Sequence, residues 1–287
     1  KTTMNLKQVI DAPNTLELLA GMTEHEKAVL APELTTLQKL GTKGHKDNFK
    51  HSFQVLTNGV RIAKENNIPV TPGLKAALLL HDIGKPKTRA YHDGKATFWN
   101  HEYVGSRIAY RMMLREGFTK QQAREARALI AYHMRAYGYS SERTDSAVRR
   151  IITDVTQSAG TNKETVDGVP TFTKLMVLFK ADLTTKNKRL KALILGGLEQ
   201  LEAHANRIME QDARAALRPA INGHDVMHRF GIKPGRVLGE VMRYLNTDEG
   251  ITLAEEEAYA AAERILTQNG TITKQENLTP VGGGDRG

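Results

Sequence analysis

The sequence predicts an all-α fold, a helical bundle with a smaller helical unit towards the C-terminus. Three observations carry that expectation. Apolar residues recur at helix-type spacing, with Ala and Leu abundant and aromatics only 6% of the chain. Five consecutive apolar residues, Ala76 to Leu80, mark a segment buried on all sides, which Gly84 and Pro86 stop abruptly. The 287 residues, 40% hydrophobic and 25% charged, suit one large domain or two modest ones with a real core.

Composition also excludes. Without cysteine there are no disulfides or thiolate sites, so any metal must sit on His and carboxylate. No run of about 18 apolar residues predicts a membrane span, and no apolar signal core opens the sequence, so a cytoplasmic location is expected. A formal charge of +9 and a pI near 9.6 favour a polyanionic partner, nucleic acid among them. Residues 107–150 hold ten basic residues against four acidic ones, with Arg107, Arg111 and Arg115 on one stripe. Lys186, Lys188, Arg189 and Lys191 form a second cluster.

The elements follow in order. Residues 1–46 read as short helices broken at Pro13, Gly21, Pro32 and Gly41, with Leu16, Leu18, Leu19, Leu30, Leu34, Leu37 and Leu40 as packing residues. His25 and His45 lie in polar surroundings and are expected at the surface. From Asn48 to about Asn66, the spacing Phe49, Phe53, Leu56, Val60, Ala63 is a helical stripe, and His51 aligns with Val55 and Ile62 beside it. A Pro-rich turn at 69–73 leads into the central helix, which delivers His81 and Asp82 at its end. The polar segment 87–99 contains Asp93-Gly94, the mark of a tight loop or small hairpin.

Next, a helix from about His101 to Glu116 puts His101, Val104, Ile108 and Met112 on one face. Another, near 119–134, groups Ala126, Leu129, Ile130 and His133. A helix near 142–157 ends at a loop, 158–169, of mobile composition; Pro170 then opens a helix with Leu175, Leu178, Phe179 and Asp182 on one face. From Leu190 to about Ala216 a long helix is expected, interrupted near Gly196-Gly197. Lys233-Pro234-Gly235-Arg236 precedes an amphipathic stretch (Val237, Val241, Tyr244, Leu245), a phosphate seat or a plain packing unit. Thr252 with Glu255 reads as a capping pair for a last helix through Leu266, and 268–287 as a disordered tail.

His51, His81, Asp82, His101, His133 and Asp182 all fall on or beside inward apolar faces. One such histidine is ordinarily a satisfied core residue. Four of them with two carboxylates, on separate helices of one segment, point instead to a shared metal centre, because buried charges need partners. Lys85 and Arg89 follow the doublet as phosphate-binding cations.

With a His, a His-Asp doublet and a distant Asp in place, the segment resembles the HD superfamily of metal-dependent phosphohydrolases. It is most similar to the HD domain of bacterial CCA-adding tRNA nucleotidyltransferases. The runs Leu79-Leu80-His81-Asp82-Ile83-Gly84-Lys85-Pro86 with Thr88-Arg89, Asn100-His101-Glu102 before Val104-Gly105, His133-Met134-Arg135 and Lys180-Ala181-Asp182 match in order and spacing. Residues 223–245 are similar to the segment that follows HD there, and Ala31-Pro32-Glu33-Leu34 to the piece that precedes it. The likeness covers roughly 30–265. It implies an N-terminal helical segment (1–46), an HD-domain helical bundle (47–217) and a C-terminal RNA-binding-like unit (218–267). The nucleotidyltransferase head of those enzymes carries a Gly-Ser pair and then Asp-x-Asp. Here the one Gly-Ser pair, Gly105-Ser106, lies in the helix after His101, and no Asp-x-Asp occurs, so nucleotide addition by this chain alone is not expected.

By position, the resemblance implies one or two divalent ions (Mn, Fe, Ni, Co, Zn or Mg). His51, His81, Asp82 and Asp182 would hold the first; His101 and His133 would hold a second, with Asp82 bridging. It further implies catalysis through Asp82, Lys85 and Arg89, and substrate binding by Lys85, Arg89, Arg135 and Lys186. His101 or His133, where not ligating, is an alternative proton donor to the leaving oxygen. The expected activity is phosphodiesterase or phosphatase chemistry on nucleotides or RNA ends, 2',3'-cyclic phosphates included. The alternatives are hydrolysis of free dNTPs or cyclic dinucleotides, or a non-catalytic RNA-binding partner of a split tRNA nucleotidyltransferase, with tRNA among the expected partners.

Overall fold

The computed structural model describes residues 4–41, 46–137, 139, 142–160 and 167–273. The chain divides into two compact units, 1–208 and 209–287. The first begins with α1 (Leu6–Asp11), α2 (Thr15–Ala20), α3 (Glu24–Ala28) and α4 (Pro32–Lys39), whose ends fall at the expected prolines and glycines. Asn5 and Thr23 cap α1 and α3 by accepting the backbone N–H three residues on. His25 is exposed as expected, whereas His45 lies outside the described residues. The ammonium of buried Lys75 donates to the Ala12 carbonyl and the Thr15 hydroxyl, tying α1 and α2 to the central helix.

α5 (Asn48–Glu65) and α6 (Pro72–Leu80) pack together. Every residue from Gly73 to Leu80 is buried, the reason the run is apolar but for Lys75, whose ammonium is satisfied by Ala12 and Thr15. Pro86 does not end that helix directly. The chain turns through 81–84 and restarts as α7 (Lys85–Thr88), with Pro86 in its first turn, where a missing N–H costs nothing. β1 (Ala90–His92) and β2 (Lys95–Thr97) then form an antiparallel hairpin, Tyr91 opposite Ala96. Its two-residue turn, Asp93-Gly94, has φ of 49° and 74°, the left-handed pair such turns require.

α8 (His101–Arg115), α9 (Lys120–Tyr132), α10 (Asp145–Ser158) and α11 (Thr171–Asp182) complete the bundle, with α9 against both α6 and α8, and α11 against α5. The ammonium of buried Lys174 on α11 pairs with Glu125 of α9 and, at 2.6 Å, with Asp167. Of the loop 158–169, residues 161–166 lie outside the described residues. α12 (Lys188–Ala216) runs unbroken through Gly196-Gly197, against expectation. Its buried stripe Leu198, Leu201, Ala205, Ile208 carries the helix past two residues that each cost about 0.5–1 kcal/mol relative to Ala. A Cβ added at either glycine would meet nothing within 4 Å.

The second unit holds α13 (Gly223–Phe230), α14 (Arg236–Leu245), α15 (Asp248–Ile251) and α16 (Glu255–Gln268) around Ile221, Val226, Val241, Leu245, Ala258, Ala262 and Leu266. Thr252 does not cap the last helix as expected. Its hydroxyl donates to the Glu249 carbonyl at the end of α15, and the Glu257 carboxylate accepts the Ala254 N–H instead. The last helix reaches Gln268, and Ile272 packs against the core; residues 274–287 lie outside the described residues. Among the described residues no helix is long and apolar enough to cross a membrane.

Candidate metal centre

All six ligand candidates sit at or near helix ends. His51 is in the first turns of α5, His101 opens α8, His81 and His133 cap the C-termini of α6 and α9, Asp82 follows His81, and Asp182 ends α11. His51, His81, Asp82, His101 and His133 are buried, His81 completely.

The side chains form two groups that share Asp82. In the first, His51 Nε2 lies 2.8 Å from Asp182 Oδ1 and 3.3 Å from His81 Nε2. His81 Nε2 is 3.4 Å from Asp82 Oδ2 and 3.5 Å from Asp182 Oδ1. In the second, His101 Nε2 is 3.4 Å from Asp82 Oδ1 and 3.3 Å from His133 Nε2. One donor atom from each of His51, His81 and Asp82 lies within 4.8 Å of the others, and likewise for Asp82, His101 and His133.

The outer ring nitrogens decide what the inner ones can do. His81, His101 and His133 each donate Nδ1–H to the carbonyl three residues earlier, Leu78 at 3.0 Å, Phe98 at 2.9 Å and Ile130 at 2.7 Å. That fixes the Nε2 lone pairs inward in the neutral tautomer. Two facing lone pairs at 3.3 Å, with carboxylate oxygens beside them, are an acceptor-only arrangement that a cation between them satisfies. The residues therefore fit a divalent ion. Without one, protons take part of its place. Burial opposes charge on His81, yet the Asp82 and Asp182 carboxylates raise its pKa to about 10. Burial, with His81 nearby, lowers His133 to about 4. Burial also raises Asp82 and Asp182, but their imidazole partners more than offset it and hold both well below the usual carboxylate range.

Of the cations expected at the substrate, Lys85 reaches the centre: Nζ is 2.7 Å from Asp82 Oδ2, 3.0 Å from Asn48 Oδ1 and over the Phe98 ring. Exposed Arg89 instead donates to the Leu40 carbonyl and lies over Tyr91. Arg135 sits over Tyr132 and 3.7 Å from Asp154, and Lys186 is exposed. Three contacts had no sequence signal. The Tyr137 hydroxyl donates to Asp182 Oδ2 at 2.9 Å, Lys46 Nζ lies 3.0 Å from His51 Nε2, and Asn48 holds Lys85. Burial and then the Asp182 carboxylate raise Tyr137, so its proton stays on that bond.

A stretch of an all-α bundle that ends one helix in His-Asp and gathers three more histidines around it has a known counterpart. Residues 48–159 match the family model of the HD domain. It is also similar to the A-adding tRNA nucleotidyltransferase of Deinococcus radiodurans, 27% identical over 221 residues. The match takes in 75% of this chain but 45% of that relative, so the chain spans less than half the relative's length.

Proposed function

We propose that the protein is a metal-dependent phosphohydrolase acting on phosphoesters of nucleotides or RNA ends. The observation that carries this reading is the pair of His-carboxylate groups joined through Asp82. His51, His81, Asp82 and Asp182 would hold one divalent ion, and Asp82, His101 and His133 a second; ions there would supply Lewis-acid polarisation and a nucleophilic water at neutral pH. The chain's own groups do the rest. Lys85, anchored by Asp82 and Asn48 and partly open to solvent, offsets charge on the phosphoryl oxygens. The Nδ1–H bonds fix three imidazoles in the ligating tautomer. His133, held neutral by burial, suits ligation better than proton donation. Arg89, Arg135 and Lys186 belong to a wider approach surface for a polyanion.

The test is metal-dependent release of p-nitrophenol from bis-p-nitrophenyl phosphate and p-nitrophenyl phosphate, alongside nucleotides and RNA 3'-ends, with Mn, Ni, Co or Fe supplied. Asp82→Ala removes a ligand from both groups and should lower turnover by more than about 10³-fold. Absence of turnover with every metal and substrate sinks the enzyme reading. A tRNA-binding role without catalysis is the second reading, favoured by the similarity to a tRNA nucleotidyltransferase; tRNA binding that survives Asp82→Ala, with no hydrolysis, would establish it.

A further inference from the structure

Beside the metal centre lies a cleft of about 660 Å³, walled by Tyr137, Tyr139, Phe179, Leu183 and Leu193 and floored by Gly196-Gly197. Its size and lining are those of a small-molecule pocket. The cleft and the centre share a wall: the Tyr137 ring faces the cleft while its hydroxyl holds Asp182, and Leu183 is the next residue in the chain. Tyr139 is fixed too, its hydroxyl 3.0 Å from His204 Nδ1, with His204 Nε2 held 2.8 Å from Asp145. Both phenols are therefore engaged at their polar ends, and the cleft offers rings, aliphatic carbon and the amide of Gln200, with no charged side chain among the described residues of its lining.

The glycines supply an independent pointer. Nothing in the described structure approaches where their side chains would be, so packing does not account for two of them in mid-helix. A ligand that comes close to the α12 backbone would account for them.

We propose that this cleft seats the nucleobase of a nucleotide whose phosphate lies at the metal centre. The inference rests on the proposed phosphate chemistry and names what lies beyond the phosphate. A base is flat and aromatic and carries a few edge groups for an amide such as Gln200. Base stacking on aromatic side chains tolerates any sequence.

The experiment measures binding of ribose 5-phosphate and of AMP, GMP, CMP and UMP to Mn²⁺-loaded protein by calorimetry. It is run for the wild type, Gly196→Leu and Gly197→Leu. A leucine at either position fills the cleft from a site with room for it and favours helix, and circular dichroism checks each variant's fold. The expected result is at least one monophosphate binding the wild type tenfold or more tighter than ribose 5-phosphate, an advantage that both leucines erase. Equal affinities in the wild type, or an advantage that survives both leucines, overturn the base subsite alone. Loss of all metal-dependent binding, ribose 5-phosphate included, overturns the phosphate chemistry beneath it. A dimer in sedimentation velocity that the leucines abolish, with no base preference, gives the cleft to a second copy and overturns the proposal.

Discussion

Asp82 faces two ways, with Oδ2 towards His81 and His51 and Oδ1 towards His101. The proton that the carboxylates hold on His81 must leave before that imidazole ligates, because its pKa of about 10 keeps it charged at neutral pH. Metal binding at pH 7 should therefore release about one proton from this residue, and affinity should rise roughly tenfold per pH unit. Calorimetry in buffers of different ionisation enthalpy measures the release; a value near zero would refute it. At this scale the sequence was legible where burial and polarity conflict. Histidines and aspartates on apolar faces announce themselves, and all six ligand candidates come together. Tyr137 and Lys46 gave no such signal. Tyr137 meets Asp182 across 45 residues of sequence, and nothing in its own surroundings sets it apart from a surface tyrosine.

Helix ends are what build the site, and one glycine sets how two of them meet. A Cβ on Gly84 would lie 2.1 Å from the His101 carbonyl oxygen and 2.6 Å from the Gly105 N, both backbone atoms that cannot swing aside. Gly84→Ala should cost about 3 kcal/mol or more, at the upper end of overpacking effects, and should push the start of α8 away from Asp82. Thermal melting reads the first effect and the number of bound ions the second; a variant with unchanged melting and full metal content would show that the turn tolerates a side chain. Most element boundaries followed from prolines, glycines and caps. Gly196-Gly197 misled because neighbouring buried leucines, not local propensity, decide whether α12 continues. Thr252 misled because a short helix, α15, claims it first.

For the whole molecule, the ions should be a source of stability, since the assembled ligands exist only in the folded chain. Chelation should lower the melting temperature, by the equivalent of about 4 kcal/mol where free ion had exceeded Kd a thousandfold; no shift would mean no ion was bound. The metal-free protein should be most stable near pH 6.5. His81, raised to about 10, contributes stability that is complete below 6.5 and is lost as pH rises through 10. His133, lowered to about 4, prefers its neutral form in the fold, so stability is lost as pH falls from 6.5 towards 4. The depressed carboxylates of Asp82 and Asp182 add a further loss below 3.8. Melting curves across that range check the shape, and a metal-free optimum at pH 9 would contradict it.

A single carboxylate shared by both three-residue groups should make any loading of them unequal. The first ion to arrive draws on charge that the later one must then do without, so a titration should climb in two steps, the second at higher concentration. Removing the carboxylate at position 82 should therefore disturb both steps.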